Sequence, residues 1–146
     1  MIYVDQTFDS PMANLSADAL LLERCETTGD EFLRCWSPPT RFVAIGRGNQ
    51  ADSEVKLRAC RQSDIPVLRR ISGGGAVVLG PGCLCYSLVF RVESAGELLT
   101  AKSANDWILR RSLQAIGLAG GGALRIEGDS DLASAGKKIG GHAQKR

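Results

Sequence analysis

The stretch "RRISGGGAVVLG", Arg69 to Gly80, sets two fixed positive charges ahead of three consecutive glycines and a run of strand-formers. Glycine loses more conformational freedom on folding than any other residue. Three in a row therefore signal a sharp turn or something that must come close to main chain. Backbone N–H groups without flanking Cβ atoms can converge into a concave nest for anionic oxygens, and an adjacent arginine adds charge. Neighbouring side chains on a strand point to opposite faces, so only one of Arg69 and Arg70 is expected to share a ligand with the loop. The architectural alternative is a bulge or sheet corner at 73–75 with surface arginines beside it. Local chemistry leaves both open.

A second stretch with chemical potential is "GDSDLASAGKKIGGHAQKR". A lysine followed by glycines can place an ammonium group next to exposed amides, a combination that stabilises a developing oxyanion or phosphate charge. Asp131, beside a predicted strand, is a carboxylate able to meet a divalent metal. The common phosphate loops are absent: no G-x-x-x-x-G-K-[ST] occurs, and no G-x-G-x-x-G opens a helix. His142 is the only histidine and is expected to be exposed, so any Cys-His or Ser-His pair would need it.

The whole chain constrains partners. Its 146 residues suit one domain with a real core, and 44% hydrophobic with 23% charged residues is ordinary globular composition. A net charge of +2 does not suggest nucleic acid or a membrane surface. Basic residues do cluster between Arg41 and Arg70 and again after Lys137, which suits a small anionic ligand. "MIYVDQTFDS" lacks a signal-peptide start, and five cysteines without a CxxC read as reduced thiols. The expected compartment is the cytoplasm.

These segments need elements to hold them. "MIYVDQTF" reads as a strand. Ser10 and Pro11 are placed to open a helix as N-cap and first residue, with Met12, Leu15, Ala19 and Leu22 as its buried stripe. "EFLRCWS" and "RFVAIG" read as strands around the Pro38-Pro39 turn, "ADSEVKLRACRQ" as one short helix, and "IPVLRRIS" and "CLCYSLVFRV" as strands. A second long helix is expected in "SANDWILRRSLQAIG", capped by Ser103 and Asp106, buried through Leu109, Leu113 and Ile116, and ended by Gly117. "ALRIE" and "DLASAGKKIGG" read as short strands joined at Gly128. Trp36 and Trp107 are expected in the core. Strands in runs with few helices indicate α+β: a mixed, largely antiparallel sheet with flanking helices. Only three of 17 glycines precede residue 73, so the second half must do the tight turning.

Four ordered segments resemble the lipoate–protein ligase family, within the superfamily of octanoyltransferases and biotin–protein ligases. "RRISGGGAV" is similar to its R-R-x-[ST]-G-G-G-x-V motif, and "SDLASAGKKIGGHAQ" to its D-L pair followed by K-[IV]-x-G-x-A-Q. "NLSADALLL" and "FVAIGRGNQ" resemble its first helix and its strand-then-G-R-x-x-N turn. The resemblance implies the fold of biotin ligases and class II aminoacyl-tRNA synthetases, as one domain over 1–146, with more of it expected beyond Arg146. It also implies a two-step reaction. Lipoate or octanoate attacks ATP, with Mg2+, to give an acyl-adenylate. A lysine of a lipoyl carrier domain (in a 2-oxoacid dehydrogenase acyltransferase subunit or the glycine cleavage H protein) then displaces AMP.

By position, the resemblance puts Arg70 and Ser72 along the acyl and adenylate site, with Gly73, Gly74 and Gly75 under the adenylate. Val77 and Val78 follow the nucleotide, and Lys138 contacts the carboxyl oxygen and α-phosphate. Asp131 is the implied magnesium contact and Ala143 lies in the loop closing on the lipoyl group. The third glycine favours a ligase, since octanoyltransferases more often carry arginine there. The alternatives are an ATP-independent transfer of octanoyl or lipoyl groups from a carrier protein, or a module that binds ligand without turnover.

Overall fold

A computed structural model describes residues 1–92, 98 and 100–146. It contains two compact units, Met1–Arg91 with Lys145 and Val92–Gln144 with Arg146.

In the first unit, β1 (Ile2–Asp5) leads to α1 (Pro11–Thr28), then β2 (Phe32–Trp36) and β3 (Phe42–Ile45). Short helices α2 (Ala51–Glu54) and α3 (Leu57–Gln62) precede β4 (Val67–Arg69), β5 (Val77–Leu79) and β6 (Cys85–Val89). Two three-stranded sheets result, ordered β1-β2-β6 and β4-β3-β5. Each has one parallel and one antiparallel pairing. β3 is the central strand of its sheet, and all four of its residues are buried.

Ser10 caps α1 as expected, its Oγ accepting from Ala13 N–H, with Pro11 in the first turn. Leu15 and Leu22 of the expected stripe pack on the core, but the buried face of α1 extends beyond it. Met12 is exposed, whereas Asn14 and Cys25 are buried. The reason is a charge inside the fold. Arg34 on β2 is only 1% exposed, and a buried guanidinium requires polar partners. It donates to Asp18 Oδ1 at 2.7 Å, to Asn14 Oδ1 at 2.7 Å, and to the carbonyls of Asn14 and Gln6. It also lies over the rings of Phe8 and Trp36. A polar side of α1 therefore turns inward, while Leu21 and Leu22 pack on Cys25, Phe32 and Val89. Trp36 packs with Phe42 and Ala44, in the core as expected.

The single helix expected over "ADSEVKLRACRQ" is interrupted. Val55 is extended (φ −137°, ψ 138°) and separates α2 from α3. Its β-branched side chain is stiff in a helix. The break leaves Glu54 at the end of α2, where it reaches the glycine loop.

In the second unit, α4 (Ala101–Leu118) is followed by β7 (Arg125–Glu127), β8 (Asp131–Ser134) and β9 (Lys137–Gly141), an antiparallel sheet in the order β7-β8-β9. The capping box of α4 lies one turn earlier than expected. Thr100 is the N-cap, and Ser103 serves as its N3 partner. The helix runs one residue past Gly117. Leu109 is buried, and Leu113 and Ile116 are half-buried, as the expected stripe requires. Trp107 is only half-buried and carries Arg111 over its ring at 3.4 Å. The β7–β8 turn includes Gly128 as expected. The segment "DLASAGKKIGG" is two strands, because Ala135 and Gly136 both take positive φ and reverse the chain. Among the described residues four of the six strand pairings are antiparallel, so the α+β, largely antiparallel expectation holds. Among the described residues, no helix is long and apolar enough to cross a membrane.

Candidate acyl and nucleotide site

The glycine loop is built by two arginines that do different work. Arg69 ends β4 and donates through Nη1 to the carbonyls of Gly46, Arg47 and Asn49, tying down the turn after β3. Arg70 binds the glycine loop itself. Its Nε reaches Ser72 Oγ at 3.1 Å and Gly73 O at 3.2 Å, Nη1 reaches Ala44 O, and Nη2 reaches Gly73 O and Gly75 O. Only Arg70 faces the loop, as strand alternation required. Neither arginine is loose surface charge. Burial lowers the Arg70 pKa and nearby Glu54 works against that shift.

Two neighbouring groups complete the loop. Asn49 Nδ2 donates to Gly74 O at 3.2 Å, and Ala76 N–H donates to Glu54 Oε2 at 2.8 Å. The carbonyls of Gly73, Gly74 and Gly75 are thus all turned toward protein donors. Among the described residues, no group accepts from the N–H of these three glycines. A row of amides with its carbonyls clamped behind it is an anion-accepting surface.

The glycines are required for unequal reasons. Gly74 has φ 85°, in the left-handed region that suits glycine. A Cβ on Gly46 would lie 2.0 Å from Gly74 O, so the two turns touch main chain to main chain. A Cβ on Gly73 would meet nothing within 4 Å, and one on Gly75 only Glu54 at 3.6 Å. Nothing within this unit requires those two positions to lack a side chain. Val77 and Val78 continue as β5, opposite Ala44 and Val43 of β3, and Val78 is 66% exposed.

The other expected residues lie in the second unit. Lys138 Nζ is 2.9 Å from Asp131 Oδ2, at 54% and 30% side-chain exposure. Asp131 pairs with Gly141 across the β8–β9 ladder, and a Cβ on Gly141 would stand 3.1 Å from Lys138 Cε and Nζ. The missing side chain lets the lysine fold back over the strand. Pairing with Lys138 and a hydrogen bond from Ser130 hold the Asp131 carboxyl below its ordinary pKa. His142 differs from its expected exposure. It is half-buried, its N–H donates to Ser130 O at 2.8 Å, and burial lowers its pKa. Ala143 follows, exposed.

Among the described residues, no three His, Cys, Asp or Glu side chains gather as a metal cage. A magnesium ion held largely by phosphates needs only one or two carboxylates, and Asp131 has the donor chemistry for that, with Lys138 as competitor. The five cysteines are free thiols. Burial pushes Cys85 up to about 12, which leaves too little thiolate for a nucleophile at neutral pH. Sequence reasoning missed Arg34, Glu54 and Gly46. An arginine alternating with Phe32 and Trp36 was the available signal for the first, and G-R-x-x-N for the last.

The first unit thus carries a glycine loop with clamped carbonyls, and the second carries a β-hairpin that holds the Lys138–Asp131 pair, in an α+β chain. The chain belongs to the lipoyl protein ligase A/B catalytic domain family, whose model matches residues 10–146. Among similar proteins, a lipoate-protein ligase A homologue of Aeropyrum pernix is 30% identical over 141 residues, covering 94% of this chain and 49% of that protein. Octanoyltransferase LipM of Moorella thermoacetica is 35% identical over 93 residues, covering 62% and 33%. A crystal structure of lipoate-protein ligase A bound with ATP shares the fold at TM-score 0.77 and 24% identity, covering all of this chain and 62% of that one. The chain spans about half or less of the length of these two curated relatives.

Proposed function

We propose that this domain activates lipoate or octanoate with ATP to an acyl-adenylate and passes the acyl group to a lysine of a lipoyl carrier domain. The observation that carries the reading is that the Gly73, Gly74 and Gly75 amides have no acceptor among the described residues while their carbonyls are clamped to Arg70 and Asn49. The row accepts the phosphate of the adenylate, and the lack of side chains at Gly73 and Gly75 leaves main chain open to it. Arg70 and Ser72 shape the loop from behind, and Val77 and Val78 offer the nucleotide an apolar edge. Such a displacement demands positioning and charge neutralisation more than covalent participation by the protein.

Lys138 takes its role from the family motif: its ammonium neutralises charge as carboxylate attacks phosphorus. Asp131 holds that ammonium at 2.9 Å, and its carboxylate would be the protein contact for a magnesium ion bound to ATP. Ala143 belongs to the segment covering the lipoyl group. ATP is bound in the structure of the similar lipoate-protein ligase A, which supports the nucleotide half of the reading. Likeness to an octanoyltransferase favours one second reading, acyl transfer from a carrier without ATP.

The test is incubation with ATP, magnesium and a mixture of lipoate, octanoate and biotin, read by mass spectrometry. A lipoyl- or octanoyl-adenylate is expected. Absence of any adenylate, with octanoyl transfer from an acylated carrier protein instead, would establish the second reading.

A further inference from the structure

Glu54 has no part in the family motifs used above, yet its carboxylate reaches the open amide row. Ala76 N–H is the next donor along the chain after Gly75, and it alone is already taken, by Glu54 Oε2 at 2.8 Å. The same oxygen lies 3.6 Å from where a Gly75 side chain would begin. The break at Val55 puts it there, since α2 ends on Glu54. One end of an anion-accepting surface is therefore closed by an exposed, fixed negative charge.

That arrangement is unfavourable for anion binding in general, so it discriminates among anions. Three N–H groups attract a phosphate, while the carboxylate repels each further negative charge brought to the row. At the short range set by this geometry, the repulsion in a solvent-exposed site amounts to about threefold to fivefold in affinity per added charge at low salt, and salt reduces it.

We propose that Glu54 is a specificity-setting residue of the glycine loop, tuning the amide row to a singly charged phosphate ester over metal-free phosphates of higher charge. The inference rests on the adenylate-binding reading and sharpens it. An acyl-adenylate carries one negative charge in all, whereas AMP and ADP carry more. A row so tuned holds the activated intermediate and releases the nucleotide product.

The test is calorimetric titration of the 146-residue chain, without magnesium and with chelator, using four probes of rising charge: adenosine, adenosine 5′-octyl phosphate, AMP and ADP. The wild type should bind the octyl diester most tightly and ADP more weakly than AMP. E54Q keeps an oxygen that accepts from Ala76 N–H and removes only the charge. It should leave adenosine unchanged and tighten the others in order of charge, by about threefold for AMP and about tenfold for ADP relative to the diester. A uniform change across all four probes would mark Glu54 as merely structural and overturn the proposal. So would a wild type that binds ADP as tightly as the diester, whatever the variant does. If the wild type binds none of the four, the adenylate-binding reading itself fails, an outcome distinct from either.

Discussion

Lys138 Nζ lies 2.9 Å from the Asp131 carboxylate and passes over Gly141, the residue opposite Asp131 in the β8–β9 ladder. The lysine singled out by its spacing is thus already holding an anion. Lys137, next to it, pairs with Ser134 in the ladder. The pair is half-exposed, so it adds little to stability; its value is to keep an ammonium in a defined place. K138A should leave the thermal midpoint nearly unchanged and lower acyl-adenylate formation by about a hundredfold or more.

The same pair has a pH signature. A carboxyl lowered in the folded chain adds stability above its unfolded pKa and loses it as pH falls through the folded value. Carbon NMR titration should therefore place the Asp131 midpoint below the ordinary value of about 3.9. In K138A it should move back upward. An unchanged midpoint would show that the lysine is not its main partner.

Gly46 and Gly73 separate architecture from ligand contact. G46A drives a methyl group against Gly74 O and should cost about 2–3 kcal/mol in chemical denaturation. G73A meets open space without positive φ, so its stability should be equal or up to about 1 kcal/mol higher. It should nonetheless weaken adenylate binding at least tenfold. A G73A protein that binds normally would remove the reason offered for the open amide row.

Arg34 is the main polar anchor of the first unit. Truncating it leaves Asn14 and Asp18 facing an empty place, and R34A should cost about 3–5 kcal/mol. Asp18 carries the opposite pH sign to Asp131. Burial raises its pKa, against the lowering effect of Arg34 and Ser87. Its contribution to stability falls as pH rises from the unfolded value through the folded one. Denaturation curves of D18N should lack that slope above the unfolded carboxyl value of about 3.9.

Thr100 and Ser103 cap α4 reciprocally. T100A should lower stability by about 1 kcal/mol, while D106A should change it by less than about 0.5 kcal/mol. The reverse order would restore the cap read from S-x-x-D.

By itself the sequence determined the family, the fold class and most elements, because these depend on local signals. Ser10-Pro11 opens a helix through its own capping chemistry. Three adjacent glycines advertise exposed main chain, and the family motifs fix which residues to watch. The tertiary structure alone decided which groups meet. A buried Arg34 turned a polar side of α1 inward beside the apolar stripe, whose Leu15 and Leu22 still pack on the core, since no local pattern reveals that a charge must be paired inside. An extended Val55 broke one helix and delivered Glu54 to Ala76, 22 residues away. Gly46 is glycine because of Gly74, a contact that exists only once β3 and β4 lie side by side. Spacing along a chain sets periodicity and caps; which carbonyl an arginine clamps depends on the distances that packing creates.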